Sequence, residues 1–176
     1  YKGGPTALFD ASHLYWTRTG SITGAYLGAA VATGGDVNGD GISDLLLGAP
    51  GQAGTGVVSI FHGKPDPPST TIQWSSLGTQ TNGYMGRSVA SAGDVNGDGY
   101  SDVLIGASGM DGAKGRAMLY LGSASGLSAS PAWTTYGENA ADQFGYCVAS
   151  AGDVNGDGYS DVLVGAPSWP NYAWTG

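Results

Sequence analysis

Charge is scarce in this chain: only 11% of its 176 residues are Asp, Glu, Lys or Arg, against roughly 25% in an ordinary soluble domain. Six residues are basic and 14 acidic, leaving a net charge of −8. That balance excludes the basic footprint of nucleic-acid binding and a polybasic membrane patch. Cys147 is the sole cysteine, so neither an intrachain disulfide nor a thiolate metal cage can form. No apolar run approaches the ~20 residues of a membrane-spanning helix, so membrane insertion is not expected. Asn-X-Ser/Thr glycosylation acceptors are absent. The chain opens at Tyr1 rather than Met, as expected of a processed or excised piece. What abounds is Gly, with 33 residues. Gly costs about 1 kcal/mol relative to Ala inside a helix, so an all-β chain with many tight turns is expected. The 41% hydrophobic content suffices for a core.

Those glycines fall in a repeat. The string DVNGDGISDLLLGAP starts at Asp36, DVNGDGYSDVLIGAS at Asp94 and DVNGDGYSDVLVGAP at Asp153, at spacings of 58 and 59 residues. Trp16, Trp74 and Trp133 each lie 20 positions ahead of one string. An aromatic or apolar residue followed by Gly comes between, in Tyr26-Leu27-Gly28, Tyr84-Met85-Gly86 and Gln143-Phe144-Gly145. Within the middle copy, strands are expected over 86–92, 103–105, 116–122 and 133–136. The continuously apolar Val103-Leu104-Ile105 suits a strand buried on both faces. Four strands per unit, repeated in tandem, describe propeller blades. The chain divides into a half blade (1–18, third and fourth strands), blades over 26–77 and 84–136, and a half blade (143–167, first and second strands). Three blade equivalents result, forming one portion of a propeller over 1–176.

Each repeat carries D-x-N-G-D-G-x-x-D between its first two strands. Positions 1, 3, 5, 7 and 9 are Asp36, Asn38, Asp40, Ile42 and Asp44 in the first copy. They are Asp94, Asn96, Asp98, Tyr100 and Asp102 in the second, and Asp153, Asn155, Asp157, Tyr159 and Asp161 in the third. Nine of the 14 acidic residues therefore crowd into three loops, where they repel one another unless a cation neutralises them. Turn formation alone explains Asn, Asp and Gly, but not three Asp at the same offsets three times. The donors are all oxygen, with the position-7 carbonyl included, so its side chain is free to vary. Oxygen ligands and a Gly at position 6 select Ca²⁺ over softer metals. Three Ca²⁺ are expected, one per repeat. The EF-hand's Glu at position 12 is replaced by Leu47, Ile105 and Val164, so Asp at position 9 is expected to close the shell. No base or electrophile recurs beside the loops, so a stabilising rather than catalytic ion is expected.

The aromatic-Gly dipeptide, the acidic loop and the Gly-Ala-Pro ending together resemble the FG-GAP repeat of integrin α-subunit propellers and of secreted bacterial proteins. The resemblance covers essentially the whole chain and implies a β-propeller, Ca²⁺ in the loop between strands one and two, and an extracellular, secreted or cell-surface adhesion role. In integrin propellers these loops face away from the ligand-binding surface. Only Phe144-Gly145 is a literal FG, and Ser108 replaces the last residue of the second GAP.

Propellers close with roughly four to eight blades, so three equivalents leave two open edges. Completion by a second copy head to tail, by a fibre of copies, or by further blades of a longer propeller all remain open. Three functions follow: a non-catalytic adhesion or assembly module with a protein or glycan ligand, a structural protomer of a fibre or ring, and an accessory or carbohydrate-binding domain of a secreted enzyme. The three recurring Trp are expected to pack between blades. Trp169, Tyr172 and Trp174 form a non-recurring cluster, expected to pack at the chain end rather than stack on carbohydrate. Cys147 aligns with Ser88 and Ala30 and is expected to be a buried small hydrophobe. His13 and His62 occupy unmatched positions and form no recurring triad.

Overall fold

The computed structural model describes residues 16–65 and 68–168. The half blade expected over 1–18 lies outside the described residues except for Trp16–Arg18, as does the cluster of Trp169, Tyr172 and Trp174. Among the described residues, ten strands form three antiparallel sheets. The first sheet orders β1 (Ala30–Gly35), β2 (Asp44–Ala49), β3 (Val57–Phe61) and β4 (Trp74–Leu77). The second orders β5 (Met85–Gly93), β6 (Asp102–Ala107), β7 (Arg116–Tyr120) and β8 (Trp133–Tyr136). In the third, β9 (Cys147–Gly152) pairs with β10 (Asp161–Gly165) alone. The chain is all-β, as expected from its Gly content, with one short 3-10 turn and one four-residue helical turn among the described residues. No helix among them is long and apolar enough to cross a membrane.

Consecutive strands pair directly; β10 pairs with β9 alone among the described residues, while the two four-stranded sheets are meanders whose second strand is flanked on both sides. That position explains the apolar run of β6, every residue of which is buried. Alternation splits it between two cores. Val103 and Ile105 face the first sheet and join Leu46, Val58, Ile60, Met85, Met118 and Tyr120. Leu104 faces the third sheet, with Ala92, Leu119 and Val148. The sheets therefore stack face to face, each core lying between neighbouring blades. Close approach is enforced where Gly106 meets the Gly145 carbonyl, which occupies the space a Cβ would need. Bridges from Gly56 to Met85 and from Gly115 to Phe144 fasten each sheet to the next. Met85 and Phe144, the residues ahead of the recurring Gly, pack into the first and second cores respectively.

The recurring Trp side chains mark the same junctions. The Trp16 ring meets Phe61 edge-on at 5.3 Å and its Nε1–H donates to the Ser69 carbonyl at 3.2 Å. Trp74 repeats this one blade on, against Tyr120 at 4.9 Å and with Ser128 O at 3.1 Å. Trp133 is 42% exposed, since no third or fourth strand of the next blade stands against it among the described residues.

The expectation for Cys147 was wrong, for a related reason: the residue is exposed. Its counterpart Ser88 accepts a hydrogen bond from Val148 N–H of the following blade at 3.0 Å. Among the described residues no further blade covers Cys147, which is paired only with Gly165 of β10.

Candidate metal loops

The acidic strings form the bends joining β1 to β2, β5 to β6 and β9 to β10, so all three lie at the same end of their sheets. Their internal bonding is nearly identical. Asp36 Oδ1 accepts from Gly39 N–H at 2.7 Å and Asp40 N–H at 3.1 Å, while Oδ2 accepts from Gly41 N–H at 2.7 Å. Asn38 Oδ1 accepts from Asp40 N–H at 3.1 Å, and Asp40 Oδ1 from Ile42 N–H at 2.9 Å. The second loop repeats this through Asp94, with Gly97 at 2.7 Å and Gly99 at 2.8 Å, Asn96 to Asp98 at 3.1 Å, and Asp98 to Tyr100 at 3.0 Å. The third does so through Asp153, with Gly156 at 2.7 Å and Gly158 at 2.9 Å, Asn155 to Asp157 at 2.9 Å, and Asp157 to Tyr159 at 3.0 Å. One carboxylate thus gathers three amides and curls the bend. The turn uses a positive φ at its fourth and sixth positions, met by Gly in every copy.

The electrostatics follow from these bonds. Burial pushes the Asp94 carboxyl up, but the amides of Gly99, Gly97, Asp98 and Asn96 outweigh it and hold it below the ordinary carboxylate value. The Gly158 amide chiefly, with those of Gly156, Asp157 and Asn155, holds Asp153 down against its slight desolvation. The ninth position behaves oppositely. Asp44 and Asp102 are fully buried, and desolvation raises both despite their backbone hydrogen bonds.

That ninth carboxylate ties the bend to the segment just past the third strand. Asp44 Oδ2 accepts from Val37 N–H at 3.0 Å and Oδ1 from Gly63 N–H at 2.9 Å. Asp102 does the same with Val95 at 2.8 Å and Gly122 at 2.9 Å. Asp161 accepts from Val154 at 2.9 Å, and no third strand faces it among the described residues. No three His, Cys, Asp or Glu side chains converge on one point among the described residues. What gathers at each bend is two Asp and one Asn, with Asn38 Nδ2 donating to Asp40 Oδ2 at 3.1 Å, Asn96 to Asp98 at 2.9 Å and Asn155 to Asp157 at 3.0 Å. This donor set is all oxygen and suits a hard divalent ion, since Oδ2 of the first Asp, the Asn Oδ1 and both oxygens of the fifth-position Asp each accept one hydrogen bond within the bend and keep a lone pair.

Two features escaped the sequence reading. His62 Nδ1 lies 3.3 Å from Asn38 Nδ2, beside the first loop only, where the second repeat has Leu121. The residues at positions 7 and 8 also reach the loop of the preceding blade, as where Asp36 N–H donates to Ser101 Oγ. Their recurrence as Tyr-Ser in two copies was the available signal.

Stacked four-stranded antiparallel meanders, each with an acidic bend between its first two strands, define a tandem β-propeller blade repeat. The family models agree. Residues 36–105 match the FG-GAP-like repeat and residues 144–176 the FG-GAP repeat. The chain belongs to the FG-GAP repeat family and is integrin-like in sequence. It is 35% identical to integrin alpha-PS2 of Drosophila melanogaster over 169 residues, covering 85% of this chain and 12% of that protein. Against integrin alpha-V of Gallus gallus identity is 36% over 161 residues, covering 84% and 15%. Against human integrin alpha-IIb it is 34% over 160 residues, again covering 84% and 15%. The chain thus spans only 12–15% of the length of these relatives.

Proposed function

We propose that the chain is a calcium-stabilised, non-catalytic propeller module of an extracellular adhesion or assembly protein. The observation that carries this reading is the threefold recurrence of one oxygen-lined bend at one place in the fold. Asp36, Asn38, Asp40, the Ile42 carbonyl and Asp44 would hold the first ion, Asp44 also fixing the bend from beneath. Asp94, Asn96, Asp98, Tyr100 and Asp102, and then Asp153, Asn155, Asp157, Tyr159 and Asp161, would serve the second and third. A bound ion supplies positive charge against the crowded carboxylates, and three would change the net charge from −8 to −2. The chain's own residues do the rest: the first Asp curls the bend, the Gly positions admit its φ angles, and the ninth Asp pins it to the segment just past the third strand. The adhesion role rests on likeness to integrin α subunits. Calorimetric titration with Ca²⁺ tests the loops. Three sites are expected in the parent chain and two in Asp98→Ala; three unaltered sites in that variant would contradict the ligand assignment.

The division into a half blade, two blades and a half blade calls for completion from outside. Leu163 on β10 is 59% exposed, whereas its counterparts Leu46 and Leu104 are fully buried. Strands from further blades of a longer chain, or from a second copy joined head to tail, would cover it. Mass measured in solution separates the two, since only the second gives a discrete dimer or a growing fibre.

A further inference from the structure

Each of the first two loops is covered by the blade that follows it. Ser101 N–H donates to the Asp36 carbonyl at 2.9 Å, and Asp36 N–H donates back to Ser101 Oγ at 3.2 Å. The Tyr100 ring lies over Gly39, where a Cβ would come within 2.6 Å of Cε1. One junction further, Ser160 N–H donates to the Asp94 carbonyl at 2.9 Å, and a Cβ on Gly97 would come within 2.8 Å of the Tyr159 ring. Ser123 N–H adds a bond to the Val37 carbonyl at 3.1 Å. At the third loop, Gly152 and Gly156, the counterparts of Gly35 and Gly93 and of Gly39 and Gly97, face open space among the described residues.

Asp36 and Asp94 are the residues whose carboxylates gather the amides of their bends, so clamping their backbone sets where those carboxylates sit. The clamp comes from 65 residues away in the first case and belongs to the next acidic bend. We infer that Tyr100 and Ser101, and by repetition Tyr159 and Ser160, are positioning residues for the cation loop of the preceding blade. This rests on the calcium reading given above. A cation in the second loop orders Tyr100 and Ser101 and so tightens the first, and linkage makes the effect mutual. The three loops then form a directional series, with the third, uncovered among the described residues, the weakest.

The test is a Ca²⁺ titration of the full chain followed by amide NMR, in which Gly41, Gly99 and Gly158 report the three loops separately. Ser101→Ala should weaken binding at Gly41 roughly five-fold, the scale of one lost hydrogen bond, and leave Gly158 unchanged. Ser101 belongs to the second loop, so a purely local role would move Gly99 and spare Gly41; that pattern would overturn the inference. Should Ser101→Ala fold poorly, Tyr100→Ala should weaken Gly41 while Tyr100→Phe, which keeps the ring, restores it. Unchanged affinity at Gly41 in both alanine variants overturns the inference and leaves the calcium reading standing. Absence of any shift in the parent chain at millimolar Ca²⁺ overturns both.

Discussion

The first two acidic loops and the third have nearly the same sequence and nearly the same internal hydrogen bonds, yet they stand in different surroundings. Val37, second in its loop, is fully buried, while its third-repeat counterpart Val154 is 71% exposed. Asp44 and Asp102 hold two amides each and Asp161 one. The bend itself is therefore a local property, fixed by one Asp, two Gly and an Asn. Its anchoring is not local: it comes from the segment just past the third strand of the same blade and from the acidic loop of the next.

The largest expected contrast lies at the ninth position. Asp102→Ala strips two backbone amides of their acceptor and should cost about 3 kcal/mol; Asp161→Ala should cost about 1 kcal/mol or less. Equal losses in chemical denaturation would erase the distinction between the loops. Next comes the Trp at each junction. Trp74→Ala should cost about 3 kcal/mol through lost packing on Tyr120, and Trp133→Ala, half exposed, distinctly less.

A finer test separates backbone strain from contact with the following blade. Gly97 and Gly156 share a positive φ, but only Gly97 lies under a tyrosine ring. Gly97→Ala should therefore lower the melting temperature more than Gly156→Ala, the difference reading the ring contact alone. Acid sharpens the contrast between ligand positions. Asp102 is raised when folded, so in chelator its contribution is present below the ordinary carboxylate value and lost as pH rises through the folded one. Asp153 is lowered, so its contribution is present above the ordinary value and lost as pH falls through the folded one. Asp102→Asn should remove a gain of stability on acidification, and Asp153→Asn a loss. The smallest effect concerns Cys147, which should react with a thiol reagent in the native chain without unfolding.

Much of this was legible beforehand, because the repeat registers itself. The unbroken apolar run Val103-Leu104-Ile105 reads as a strand with a core on each side, and it is one. The Asp and Gly offsets gave the bends, since their bonding spans only a few residues. Cys147 misled because alignment with Ser88 supplies the local environment but not the neighbouring blade that covers it. Asp44 was read only as closing the shell around an ion, and its second role, holding the amides of Val37 and Gly63, was not legible; a contact 19 residues away leaves no mark in the loop's own spacing. Tyr100 and Ser101 escaped for the same reason, since position 7 was read for its carbonyl alone.

Differential scanning calorimetry of the chain in millimolar Ca²⁺ and in excess chelator, at equal ionic strength, tests the central claim most directly. Cations that neutralise the three bends predict a clear fall in melting temperature when they are removed. The same melting temperature in both conditions would contradict the claim.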